Sequence, residues 1–212
     1  LAMQLKEQSI FNHSGNKIVT EDRDISIIAK FEEPMIAILG NVLSHEECDE
    51  LIQLSKEHMN RSKIGTEREV SGIRTSSGAF LPETENGVDA RIEKRVAQIM
   101  NVPANHGEGL HILNYKPGEE YKAHLDYFKS SKANHNPRIS TLVMYLNDVE
   151  EGGETYFPHL KLSITPQKGM AVYFEYFYQD PAINELTLHG GAPVITGDKW
   201  AATIWVRRKQ YR

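Results

Sequence analysis

At 212 residues, with 40% hydrophobic and 25% charged side chains, the chain has the length and composition of one globular domain able to bury a sizeable core. A formal net charge of −5 gives no global pull toward nucleic acid or an anionic membrane, and no apolar run approaches the roughly 20 residues of a spanning helix. The single cysteine, Cys48, excludes an internal disulfide framework, and no basic-then-apolar leader is visible over Leu1–Gln8, so a cytoplasmic protein is expected; Leu1 and Ala2 ahead of Met3 read as a trimmed or engineered start.

Residues 1–34 form a polar N-terminal segment with little periodicity until Ile25, Ile27 and Ile28. A support region of helices and strand follows over 35–106, and a strand-rich core over 107–212, the two forming one structural domain. The apolar run Met35 to Leu43 reads as a strand. Ser44 then opens a capping-box pattern with Glu47, and Cys48, Leu51, Ile52 and Ser55 continue at helical spacing, which predicts a helix from His45 to about Met59. Asn60 to Gly78 is charged and turn-rich, a loop or hairpin. Val88, Ile92, Val96 and Ile99 make one apolar stripe, so a second helix is predicted over Asn86–Met100.

After Pro103 the period changes to short alternating runs divided by Gly, Pro and Asn. Eight strands are predicted: Leu110–Tyr115, Tyr121–Tyr127, Arg138–Leu146, Glu154–Phe157, Leu160–Ile164, Gly169–Tyr176, Glu185–His189 and Lys199–Arg207. Helices first and strands later imply an α+β layout, a sandwich or jelly roll with the helices packed on one sheet.

Among the nine histidines, His124-Leu125-Asp126 lies within a predicted strand, where residues i and i+2 share a face and can meet one ion. A distant second histidine would complete the facial triad of non-haem iron oxygenases, and His189, ahead of Gly190-Gly191, suits that place. By itself the His-x-Asp pattern is unspecific and equally describes a surface strand. The rival His106-Gly107-Glu108 falls in a Pro/Asn/Gly-rich turn that enforces no common face. Lys199 follows His189 by ten residues and shares a strand face with Ala201, Thr203 and Trp205. Inside a barrel it would require an anion such as a dicarboxylate, although a strand-end lysine can also snorkel to water.

From about Gly107 to Arg207 the chain resembles the prolyl 4-hydroxylase branch of the iron(II)/2-oxoglutarate-dependent dioxygenases. The stretches that carry the likeness are Gly107–Leu110, Tyr115–Tyr121, His124–Phe128, Arg138–Leu146, Glu151–Thr155, His189–Val194 and Gly197–Trp200, with Leu43–Cys48 and Arg74–Gly78 upstream. The ordered set is specific where the single motif is not. The resemblance implies a double-stranded β-helix (jelly-roll) core supported by N-terminal helices. It implies Fe(II) on His124, Asp126 and His189, with O2 and 2-oxoglutarate as cosubstrates and any ascorbate requirement open. Tyr115, Thr155 and Lys199 fall where the family binds the far carboxylate of 2-oxoglutarate; as plain residues, Tyr115 also reads as a core aromatic and Thr155 as an ordinary strand threonine. Glu108, Tyr121, Arg138 and Trp205 fall at substrate contacts, and Arg74–Gly78, approached by the charged run from Lys63, resembles a loop that closes over a peptide, a merely solvated loop being the other reading.

The implied function is C4 hydroxylation of proline in a peptide or protein, with release of succinate and CO2, in a short single-domain enzyme of the bacterial collagen-like type. The same chemistry on another residue or a small molecule, and a jelly-roll module that only binds metal, are the alternatives. No nucleic-acid or membrane partner is expected, and a homodimer is left open. The chain departs from the animal collagen enzymes in lacking a separate peptide-binding domain and a cysteine framework. Arg207 stands where some relatives carry histidine.

Overall fold

The computed structural model describes residues 8–64, 69–70, 72–127 and 135–212. In chain order the first elements are strands β1 (Lys17–Val19), β2 (Asp24–Glu32) and β3 (Met35–Gly40), then helix α1 (His45–Ser55), which runs into a 3-10 turn at Lys56–His58. Strands β4 (Asn60–Arg61), β5 (Lys63–Ile64), β6 (Glu69–Val70) and β7 (Ser77–Phe80) precede helix α2 (Val88–Met100). Strands β8 (His111–Tyr115), β9 (Tyr121–His124), β10 (Arg138–Tyr145), β11 (Glu151–Gly152), β12 (Thr155–Phe157), β13 (Leu162–Ile164) and β14 (Ala171–Glu175) follow. Helix α3 (Pro181–Glu185) and strands β15 (His189–Gly191), β16 (Val194–Thr196) and β17 (Lys199–Arg207) complete the chain.

The larger sheet runs β1-β2-β3-β14-β10-β17-β8-β7-β4, and a smaller one runs β13-β12-β15-β9. Every pairing within both is antiparallel. Two facing antiparallel sheets with helices on the outer side of one are the jelly-roll core and helical support that the resemblance implied.

Strand alternation decides what each side of the larger sheet does. On β17, Trp200, Ala202, Ile204 and Val206 join the large core shared with Leu51, Ile92, Val96 and Ile99 of the helices. The intervening Lys199, Ala201, Thr203 and Trp205 line a cavity between the sheets. The same division holds on β14, where Ala171 and Tyr173 face the helices while Val172 and Phe174 pack against Phe157 and Ile164 of the smaller sheet. A fully buried aliphatic chain such as Ile92 contributes roughly 1.5–3 kcal/mol, so the helical layer is an integral stabiliser of the sheet that carries the site.

Helix α1 starts where the sequence places it. Ser44 Oγ accepts from Glu47 N at 3.1 Å, and Glu47 Oε2 accepts from Ser44 N at 2.9 Å. Glu47 also joins Arg95 of α2 through contacts of 2.7 and 2.8 Å, and Arg95 reaches Asp22 at 2.5 Å, so one buried guanidinium ties both helices to the N-terminal segment.

Three expectations change. The polar N-terminal segment contributes β1 and β2 to the larger sheet. Its strand character is hidden because β2 lies near the sheet's edge with Ile25 as its one fully buried side chain. The predicted strand Glu185–His189 is instead helix α3 and its exit turn: Asp180 caps Ala182 N at 2.9 Å, and Pro181 occupies the first turn. His189 therefore begins a strand rather than ending one. Strand β9 stops at His124, leaving Asp126 in the bend beyond it. The charged run after Asn60 contains short antiparallel ladders, although 65–68 and 71 of the expected closing loop lie outside the described residues, as does Phe128.

Candidate metal and cosubstrate centre

Strands β9 and β15 are neighbours in the smaller sheet, and their register sets His124 directly opposite His189. The bend after β9 turns Asp126 back between them. His124 Nε2 lies 3.4 Å from Asp126 Oδ1, and His189 Nε2 lies 3.7 Å from Asp126 Oδ2. Among the described residues this is the group of three His, Cys, Asp or Glu side chains that could hold an ion, its ligand atoms all within 4.8 Å of one another.

Both imidazoles are oriented through the other nitrogen. His124 Nδ1 lies 2.9 Å from Lys122 O, and His189 Nδ1 lies 3.0 Å from Thr187 O. A carbonyl can only accept, so Nδ1 carries a proton and each Nε2 is left to face the carboxylate between them. Burial pushes His189 down to about 4, keeping it neutral. Burial alone would raise Asp126, but its contact with His124 and the charge of Arg138 hold its carboxyl well below the usual range. Thr141 Oγ1 donates to Asp126 Oδ2 at 2.7 Å and meets Tyr176 Oη at 2.8 Å, fixing the carboxylate's rotation. Two imidazoles with Nε2 turned toward one anionic carboxylate fit a divalent iron.

The same cavity extends to Tyr115, Thr155 and Lys199, floored by Leu113, Val143 and Ala201. Lys199 and Tyr115 are register partners on β17 and β8. The ammonium is buried at 4% exposure, 5.5 Å from the Tyr115 ring centre and 5.7 Å from that of Tyr145. Among the described residues it has no hydrogen-bond or ion-pair partner; burial lowers it to about 8, with the Glu154 charge opposing. A buried cation left without an anion costs several kcal/mol, a cost removed once a carboxylate arrives. Tyr145 Oη donates to Thr155 Oγ1 at 2.8 Å, leaving that hydroxyl's proton for another acceptor. The residues present thus fit a dicarboxylate as well as a metal.

Tyr145, Thr141 and Tyr176 were not singled out in the sequence. For the first two a signal existed, since Thr141, Val143 and Tyr145 alternate on the inward face of β10.

Beside the metal site opens a groove lined by Arg74, Phe80, Glu108, His111, Arg138 and Trp205, among others. Tyr121 bridges the two spaces, its ring stacked on His124 at 3.5 Å and under the Arg74 guanidinium at 4.8 Å. Arg138 stacks 4.2 Å over Trp205, grips both Glu108 oxygens at 2.6 Å and donates to Asp126 O at 3.3 Å. Arg207 donates to Glu108 at 2.7 Å as well. Glu108 therefore sits between two guanidiniums, while His106 Nδ1 contacts Arg207 O at 3.1 Å, and the rival His106-Gly107-Glu108 forms no ligand group. All eleven residues picked from the sequence line the cavity or the groove.

Residues 110–207 match the model of the 2OG-Fe(II) oxygenase superfamily. Probable prolyl 4-hydroxylase 10 of Arabidopsis thaliana is 38% identical over 224 residues, covering 94% of this chain and 77% of that protein. This chain belongs to the prolyl 4-hydroxylase family. Probable prolyl 4-hydroxylase 3 of the same plant is 39% identical, covering 85% of this chain and 71% of its own. Among solved structures, the viral collagen prolyl hydroxylase of Paramecium bursaria Chlorella virus-1, in complex with 2OG, superposes with a TM-score of 0.65 at 31% identity, over 81% of this chain and 95% of that one. The chain is accordingly a 2-oxoglutarate-dependent dioxygenase that uses Fe(II), with the family's jelly-roll fold.

Proposed function

We propose that this enzyme hydroxylates proline within a peptide or protein at C4, with His124, Asp126 and His189 holding the iron and Lys199, Tyr115 and Thr155 receiving the far carboxylate of 2-oxoglutarate. The observation that carries the reading is a buried ammonium with no hydrogen-bond or ion-pair partner among the described residues, in the same cavity as an oriented His-Asp-His group that opens onto an aromatic-lined groove. Together, iron and 2-oxoglutarate supply the oxidative decarboxylation that yields succinate and CO2 and delivers one oxygen atom of O2 to the substrate.

The chain supplies position and dryness. His124 and His189 offer Nε2 while their Nδ1 protons stay on backbone carbonyls. Thr141 steadies Asp126. Leu113, Val143 and Ala201 exclude water around the cosubstrate, so the Lys199 charge acts in a poorly screened space. Tyr121, held between His124 and the Arg74 guanidinium, and Trp205, held by Arg138, both line the cavity and the groove where a substrate ring would enter. Backbone carbonyls of an extended peptide would find Arg74 and Arg138 within the same groove.

The test is a panel of proline-containing peptides incubated with enzyme, Fe(II), 2-oxoglutarate and O2, analysed by fragment mass spectrometry. The expected result is one added oxygen on proline, identified as 4-hydroxyproline on hydrolysis, with matching succinate. Succinate release accompanied by oxygen on another residue, or on none, would move the substrate elsewhere.

A further inference from the structure

Glu108 faces the groove, yet no helix or strand carries it. It lies in the link between the 3-10 turn Ala104–His106 and β8, flanked by Gly107 and Gly109. Gly109 takes a φ of 94°, a conformation that L side chains rarely adopt, and neither glycine offers a side chain to anchor the link. The Glu108 carboxylate nonetheless has to stay in place, because Arg138 grips both its oxygens at 2.6 Å while lying 4.2 Å over Trp205.

The anchor comes from outside the groove. Glu108 N donates to Trp205 O at 2.9 Å, which holds one side of the link to β17. Arg212 holds the other side. Its Nε donates to Gly107 O at 2.9 Å, and its two remaining nitrogens pair with Glu83 and Glu93. Glu93, on α2, also accepts from Leu110 N at 3.1 Å. Arg212 and Glu93 therefore join both ends of the link 107–110 and tie it to the helical layer. Arg212 is placed in turn by its own segment. Tyr211 N and Arg212 N donate to Asn105 O at 2.8 and 3.2 Å, and Asn136 Nδ2 donates to Lys209 O and Gln210 O at 3.0 and 3.1 Å. The Tyr211 ring packs 4.9 Å from the guanidinium of Arg207, the second cation on Glu108. Arg212 lines neither the cavity nor the groove, so its influence on a substrate has to pass through Glu108.

We propose that Arg212 is a positioning residue for the substrate groove, acting through Glu108 to set the Arg138 fork and the Trp205 wall. The inference rests on the prolyl reading above for its substrate, but not for the contacts it invokes. The test compares the intact enzyme with Arg212→Ala, Glu108→Ala and the double variant, each with iron and 2-oxoglutarate. In Arg212→Ala the peptide KM is expected to rise about fivefold, with kcat and the 2-oxoglutarate KM within about twofold of the intact enzyme. A general loss of structure would instead lower kcat and weaken both ligands together. Once Glu108 is alanine, adding Arg212→Ala should change the peptide KM by less than about twofold, because the group it acts through is gone. A second readout needs no substrate. In a Trp200→Phe background Trp205 is the one remaining tryptophan, and acrylamide should quench it about twofold more readily in Arg212→Ala, as Arg138 loosens from the ring. Unchanged peptide KM, unchanged quenching, or an effect that persists in full without Glu108 overturns the proposal. Absence of oxygen on proline in every peptide would defeat the prolyl reading, and the quenching comparison would then decide the role of Arg212 alone.

Discussion

Lys199 is the residue on which cosubstrate recognition depends, and its environment sets two opposed effects. Burial lowers it to about 8 against the opposing Glu154 charge, so the charged form is unwelcome in the protein before 2-oxoglutarate binds. A folded-state value below the usual lysine range means the unfolded chain holds more protons above about pH 8. Stability without cosubstrate should therefore be penalised below that pH and recover as pH rises toward the unfolded lysine range. Cosubstrate affinity runs the other way, full while the ammonium is charged and weakening by up to about tenfold per unit above pH 8. Lys199→Ala should raise the 2-oxoglutarate requirement by roughly 3–5 kcal/mol, at least about 100-fold, yet leave the melting temperature without cosubstrate unchanged or higher. Titration calorimetry across pH and thermal melts check both; unchanged affinity in the variant would remove Lys199 from the clamp. Its inward direction was legible from alternation with Ala201, Thr203 and Trp205. Its lack of a partner was not, since that depends on what β8, β10 and β12 bring around it.

At the scale of elements, the helices were legible because their caps and stripes are local. Ser44 with Glu47 marks the start of α1, and the stripe of α2 is the face that is buried. What the sequence concealed is that Glu47 serves twice, as capping-box partner and as the anion for Arg95. Burial alone would raise Glu47, but Arg95 pulls it down to about 2. The stability this pair contributes is present above about pH 4.5 and lost as pH falls toward 2. Glu47→Gln should lower stability at pH 7, by about 3 kcal/mol on the scale of broken buried pairs, and flatten the acid limb of a denaturation series. A variant with the intact protein's acid limb would show that other carboxylates govern it. The α3 region was misread for a related reason. Leu186 and Leu188 imitate strand alternation, whereas Asp180 and Pro181 upstream carry the helix-start signal. For the metal, the outcome survived the misreading, because His189 pairs with His124 across β15 and β9 whether it ends a strand or begins one.

Across the whole molecule, one division of labour accounts for most of the sequence. The outward face of the larger sheet is covered by α1 and α2, and its inward face, closed by the smaller sheet, is polar only where ligands must bind. Strand periodicity revealed both faces, but not which strands adjoin: the order β14-β10-β17-β8 joins elements far apart in sequence, and Asp126 reaches the site from a bend rather than a strand face. The account therefore rests on three side chains converging with one buried cation. The direct measurement is an anaerobic titration of the protein with Fe(II) and 2-oxoglutarate, following the visible charge-transfer absorption of iron chelated by the cosubstrate. One iron and one 2-oxoglutarate per chain are predicted, with the band abolished in Asp126→Ala and displaced to much higher cosubstrate concentration in Lys199→Ala. No band in the intact protein, or an unaltered band in Asp126→Ala, would contradict it.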